Sequence, residues 1–349
     1  MKTQEHSIHQ PHAKLFETVF SDPVEAVSFF QAYLPDALTT RIDWNTLVLK
    51  ENSFIDEEFH GSESDILFQA KLKDIRENIF LYVLFEHQSK PDKWVRFRLL
   101  KYMCRIWDAS FKEFPKQKKL IPVLPAVFYQ GNSRWNYSTQ FSDSFHDTFK
   151  DVDFIPRFSH FLTDQSGFSN DEIRGALKVR IAQLLMKAAF HGKIREIFDT
   201  LSALISELPE SGGIRYVRVF IRYIAATQER KTVEEFTGIM KKQSERIGEN
   251  MITAAQEWFN EGLNEGLNKG LNKGFTKGLN KGFNKGVVKG QIEVIEKFLK
   301  AGATWDFIYK ATDIDENSFH ELKKKLQEQI KPVRNPYQGI ALDKLNASQ

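Results

Sequence analysis

The sequence predicts an α/β chain: a mixed β-sheet domain flanked by helices, followed by an all-α C-terminal region with a glycine repeat. Three observations predict it. Ile66, Phe68, Ala70 and Leu72 alternate with Asp65, Leu67, Gln69 and Lys71, the period of a half-buried strand, and an unbroken apolar run from Ile79 to Phe85 follows within a hairpin's reach. Helical spacing then takes over from Asn170 to about Ile247. Beyond it, glycine recurs every fourth residue from Gly262 to Gly290.

The chain has 349 residues, 41 % hydrophobic and 27 % charged, enough for a real core and for two or three folding units. Its 49 basic and 46 acidic side chains give a net charge of +3, which excludes a histone-like polycation. One cysteine, Cys104, excludes a disulfide framework and a four-cysteine zinc site. No apolar run reaches the roughly 18 residues of a membrane span, and Met1 to His12 lacks the apolar core of a secretory signal, so the expectation is a cytoplasmic protein with no membrane partner.

Residues 1–11 read as a tail. Leu15, Phe16, Val19 and Phe20 mark a first helix starting near His12, and Ser21-Asp22-Pro23 reads as the cap of a second, which ends before Pro35. Candidate strands run from Thr46 to Ile55, through the alternating segment at 65–72, and from Ile79 to Phe85, with Lys73 to Asn78 as the hairpin loop. Trp94 to Phe114 is helical, with Phe97, Leu100, Met103 (or Cys104) and Trp107 as its stripe. Leu120 to Tyr129 is a strand whose start is weakened by Pro122 and Pro125, and Phe154 to Leu162 is a further candidate. The first three strands are joined too briefly for crossovers and are read as antiparallel neighbours; the helix crosses over to the fourth. The domain so defined spans 12–165.

A helical region follows at 166–250, with Ser211-Gly212-Gly213 read as an interhelical loop. Residues 251–290 form the tetrad segment. Large apolar residues follow most of its glycines (Leu263, Leu267, Leu271, Phe275, Leu279, Phe283, Val287), and lysines precede six of them. Eight glycines cost a lone helix roughly 8 kcal/mol relative to alanine, so the segment is either a flexible linker or a helix held by close packing in a homo-oligomer. Residues 291–330 read as three short helices, with Thr304 and Asp315 as caps, and 331–349 as a tail. The unit resembles a helix-turn-helix, yet Asp315, Glu316 and Asn317 stand where a DNA reader contacts bases, which favours a packing module.

The constellation with chemical potential is Asp65, Glu86 and Gln88. A hairpin brings the start of one strand beside the end of the next, and residues 86 and 88 share a face. Two carboxylates at the end of a buried strand suit Mg²⁺ or another divalent cation; the plain alternative is a salt-bridged strand end. Arg98, Lys101 and Arg105 give the following helix a basic face fit for a polyanion.

The stretches Ser53-Phe54-Ile55-Asp56, Ser64-Asp65-Ile66-Leu67, Phe85-Glu86-His87-Gln88-Ser89, Phe97-Arg98-Leu99-Leu100-Lys101-Tyr102 and Pro125 to Gly131 resemble the recombination-promoting nuclease family, also described as transposase-like members of the PD-(D/E)XK nuclease superfamily. The resemblance implies a restriction-endonuclease-like core and metal-dependent cleavage of double-stranded DNA. It implies Asp65 and Glu86 as metal ligands, Gln88 in place of the usual lysine, and Arg98 and Tyr102 as the basic and aromatic pattern of the DNA-facing helix. One departure stands out: the family begins His-Asp-x-x-Phe-Lys, and this chain has His12-Ala13-Lys14-Leu15-Phe16-Glu17. Glu17, one turn on, is a candidate accessory acid. The other reading is therefore a catalytically weakened nuclease fold that binds DNA or a partner as an oligomer; in either reading the expected homo-oligomer forms through residues 251–290.

Overall fold

The computed structural model describes residues 11–50, 65–74, 77–86, 91–149 and 152–330, without the side chains of 84–86, 210–211 and 329–330. Both tails and residues 51–55 of the first candidate strand lie outside these residues. The chain divides into two compact units, one ending at Asn260 and one beginning at Glu261.

The first unit opens with α1 (Pro11–Phe20) and α2 (Pro23–Tyr33). Asp22 caps α2: its carboxylate accepts from the Val24 N–H at 3.0 Å, and Pro23 occupies the first turn, where its missing N–H costs nothing. A short α3 (Asp36–Thr39) leads into β1 (Ile42–Leu49), then β2 (Asp65–Leu72) and β3 (Asn78–Glu86). α4 (Val95–Glu113) crosses to β4 (Val123–Tyr129), and β5 (Phe161–Asp164) completes a five-stranded sheet in the order β1-β2-β3-β4-β5. The first three strands are antiparallel neighbours; β4 is parallel to β3 and β5 to β4.

Four expectations are corrected here. β1 starts at Ile42, not Thr46, because a bulge between Asp43 and Val48 breaks the alternation that a sequence pattern needs. Of Phe154 to Leu162 only the last two residues are strand; Phe154 is 79 % exposed, and Pro156 interrupts the run. Asn170 to Ala176 precedes the helix α5 (Leu177–His191) rather than opening it, with Gly175 at a φ of +113°. Ser211-Gly212-Gly213 lies in the first turn of α7, not in a loop, though Gly212 keeps a left-handed φ of +82°. Pro125 sits inside β4 without penalty. The Phe80 N–H donates to the Pro122 carbonyl, so even-numbered residues of β4 pair with β3 and Pro125 faces the other way, where β5 pairs only from Ala126.

The period of two sorts the sheet's residues onto two faces. Ile66, Phe68, Leu81, Val83, Ala126 and Phe128 belong to one core with α1, α2, α5, α6 (Phe198–Ser206), α7 (Glu210–Thr227) and α8 (Arg230–Gln243). At its centre the Phe128 ring lies 5.4, 5.8 and 5.6 Å from those of Phe16, Phe20 and Phe29. Leu67, Phe80, Tyr82, Val127 and Tyr129 face the other way and pack on α4 through Val95, Leu99, Tyr102 and Ile106. That stripe replaces the expected one: Phe97 is 52 % exposed and Cys104 is exposed, since i, i+3, i+4 spacing fits two adjacent faces of this helix.

His160, just before β5, is buried against Trp135, with ring centroids 6.1 Å apart. Burial, then the nearby Arg96 guanidinium, lowers its pKa to about 4. The folded state thus refuses a proton that the unfolded chain takes up near 6.5, so stability falls as pH drops from about 6.5 to about 4, by at most about 3 kcal/mol. His160→Gln is expected to flatten that acid limb of the urea-midpoint profile; an unchanged limb would assign it to other groups.

α9 (Glu245–Lys300) is one continuous helix. Its first turns bury Met251, Ala254 and Ala255 in the core of the first unit. In the second unit it is followed by α10 (Trp305–Thr312) and α11 (Glu316–Ile330). Ile292, Ile295, Ile308, Ile314 and Phe319 form this unit's core. Asp315 caps α11 by accepting from the Ser318 N–H at 2.7 Å, whereas Thr304 holds the N-cap position of α10 without a side-chain bond. Lys323 pairs with Glu296 at 2.6 Å, a use of that lysine inside the unit rather than toward a phosphate.

Candidate active site

The sheet places Asp65 at the first residue of β2, opposite Leu84 of β3. Diagonal to that pair is Tyr82, fully buried, whose hydroxyl donates to Asp65 Oδ2 at 2.7 Å. Tyr102 comes from α4, its ring 5.2 Å from that of Tyr82. Burial first, and then the charge of Asp65, raises both phenols above their ordinary range, Tyr82 well above it. Both phenols stay protonated, and the Tyr82 hydroxyl anchors the carboxylate.

Arg98 lies one helical turn before Tyr102. Its positive charge acts on both tyrosines against the shift, and its Nη1 is 3.4 Å from Asp92 Oδ2. Arg105 acts on Tyr102 in the same sense. Lys101 stands on the more exposed side of α4, its Nζ 5.9 Å from the Phe97 ring. Arg98, Tyr102 and Arg105 are thus gathered along the Asp65 side of the helix. Tyr102, 7 % exposed, is a support beneath that rim.

Glu86 ends β3 in register with Tyr129 of β4. Its backbone is two residues, about 7 Å, beyond the position paired with Asp65. The Glu86 side chain and all of Gln88 lie outside the described residues. Among the described residues no three His, Cys, Asp or Glu side chains are grouped for a metal ion. What is described suits a hard cation in kind: Asp65 offers carboxylate oxygen, anchored by the Tyr82 hydroxyl as metal-binding carboxylates commonly are. Glu17 is on α1, which packs on the opposite face of the sheet from α4, so the accessory acid is not brought to the tyrosine pair. Helical spacing could not show which face of the sheet α1 would cover.

Sequence reasoning missed Tyr82, hidden in an apolar run. The available signal was its place two residues before the partner of Asp65 on the same face of the hairpin.

The chain is thus a mixed-sheet α/β protein with flanking helices, an acidic residue anchored at one strand end beside a helix edged with arginines. Within it, residues 10–213 match the family described as "Putative transposase, YhgA-like", and the chain belongs to that family. It is 30 % identical over 258 residues to recombination-promoting nuclease RpnC of Escherichia coli K12, covering 72 % of this chain and 81 % of that protein. Against RpnD of Escherichia coli O157:H7 it is 27 % identical over 252 residues, 72 % of this chain and 95 % of the relative. It is also 24 % identical over 264 residues to the K12 protein named inactive recombination-promoting nuclease-like protein RpnE, covering 74 % of this chain and 84 % of the relative. No solved structure matches the chain. No helix among the described residues is long and apolar enough to cross a membrane.

Proposed function

We propose that this chain is a divalent-metal-dependent endonuclease that cuts double-stranded DNA and promotes recombination, on a restriction-endonuclease-like core. The observation that carries the reading is the Asp65 carboxylate, held by the Tyr82 hydroxyl at the sheet end where β3 finishes, beside the arginine-edged helix α4. Relatives named as nucleases support it. Asp65 and Glu86 would hold Mg²⁺, which when bound supplies a Lewis acid and a more acidic water. The Tyr82 hydroxyl fixes the Asp65 carboxylate, so that its orientation need not be won from water at each turnover. Arg98, Lys101 and Arg105 draw the DNA backbone to that edge, and Gln88 orients a water or a phosphate oxygen. Residues 251–290 are the segment through which copies of the chain associate.

A second reading, a fold kept for binding after its chemistry weakened, has its own observation. Ala13, at the position where the family resemblance implies an aspartate, is fully buried, an apolar contact that leaves no charge there. Plasmid cleavage by the purified protein with Mg²⁺ and with EDTA separates the two. Metal-dependent nicking supports the nuclease; a DNA mobility shift with no cutting in any divalent metal supports the binding protein.

A further inference from the structure

The start of α4 exposes two large rings. Trp94, at the N-cap position, is 55 % exposed, and Phe97 52 %. A lysine ammonium lies over each: Lys93 Nζ is 5.0 Å from the Trp94 ring centroid, and Lys101 Nζ 5.9 Å from that of Phe97. The backbone beneath Trp94 is fixed, because the Asp92 carboxylate accepts from the Trp94 N–H at 2.8 Å and pairs with Arg98 at 3.4 Å. The rings also belong to the basic row of this helix. At about 100° per residue, Trp94, Arg98, Lys101 and Arg105 fall within about 60° of one another, and Phe97 lies about 40° beyond Lys101. The row rises about 16 Å from Trp94 to Arg105. Tyr102, whose ring packs on that of Tyr82 behind Asp65, borders it.

We propose that Trp94 and Phe97 are a stacking platform for unpaired bases of DNA, so that the chain engages a duplex interrupted by a single-stranded gap more tightly than a fully paired one. The proposal rests on the nuclease reading of the Asp65 site and narrows its substrate. In a paired duplex the base faces are covered by their neighbours, and only groove edges and backbone are presented. A flat ring held at the surface cannot read those, but it can stack on the face of an unpaired base. The lysines argue against a protein occupant. An apolar pocket that covered Trp94 or Phe97 would have to bury the ammonium resting on the ring, at the cost of its hydration. A nucleotide uses both parts: the base takes the ring, and the flexible lysine stem carries its charge to the adjoining phosphate. Arg98, Lys101 and Arg105 continue the row and meet the phosphates that follow.

The test titrates the full chain in EDTA, where metal-dependent cutting is off. A labelled duplex is compared with the same duplex carrying a short single-stranded gap, and binding is read by fluorescence anisotropy. The gapped duplex should bind about tenfold tighter or more. Trp94→Ala/Phe97→Ala should weaken gapped-duplex binding about 10–100-fold and leave the fully paired duplex within about twofold. Circular dichroism should not change, since both side chains are at the surface. Trp94→Phe keeps a ring and should keep most of the affinity. Lys101→Gln should instead weaken both DNAs alike and lower the salt slope by about one.

Equal affinity for the two DNAs, or equal losses on both in the double alanine variant, overturns the platform and leaves duplex cleavage at Asp65 untouched. Absence of binding to either DNA also overturns it, and plasmid cleavage in Mg²⁺, run separately, shows whether the nuclease reading falls too. A double variant that binds both DNAs normally but sediments at a lower mass gives the rings to a contact between copies and overturns the proposal as well.

Discussion

Asp65→Asn should remove metal-dependent DNA cleavage by about a thousandfold or more while leaving the fold intact. The substitution keeps the side chain's shape and its ability to accept from Tyr82, 2.7 Å away, but removes the negative charge. A metal site contributes several kcal/mol to transition-state stabilisation, and each 1.36 kcal/mol is tenfold in rate. Tyr82→Phe should cost less, roughly 10–100-fold, because it removes a hydroxyl behind the carboxylate rather than the carboxylate itself. Initial rates of plasmid nicking in Mg²⁺, with EDTA blanks and circular dichroism as the folding control, measure both. Undiminished cutting by Asp65→Asn would end the role assigned to this residue, and equal losses in the two variants would end the distinction between ligand and support.

Phe128→Ala should lower unfolding free energy by about 3–5 kcal/mol, the range for truncating a fully buried aromatic. Phe128 is 0 % exposed and sits on β4 among the rings of Phe16, Phe20 and Phe29, so one side chain ties the sheet to both N-terminal helices. Those helices cannot close over a cavity of that size without leaving α5 and α7, against which α1 also packs. The urea midpoint of the first unit's transition measures the loss. A change under about 1 kcal/mol would show that the helices move independently of the sheet.

Local chemistry made much of the fold legible. Asp22-Pro23 can only open a helix, Gly302 after α9 adopts the left-handed φ of +82° that stops one, and the alternation at 65–72 marks a strand with one polar edge. The misreadings share a cause. Phe97 and Val95 both fit a helical stripe, and the choice of Val95 was made by the sheet beneath α4. The bulge in β1 and the interrupted run before β5 are likewise set by what the strands pair with. For the site, the acidic residue and the arginines stand out because charge beside an apolar strand needs a reason. Tyr82 does not, since a phenol in a core looks like any other ring until its hydroxyl has a partner.

By itself the sequence determined the start of α2, the end of α9, the hairpin pairing of β2 with β3, and the tetrad rows of α9, all consequences of spacing within one segment. Only the tertiary structure decided that the Tyr82 hydroxyl meets Asp65 and that α1 and α4 pack on opposite faces of the sheet. Those relations join residues far apart in the chain, and they exist only once two apolar faces have chosen which helices to bury.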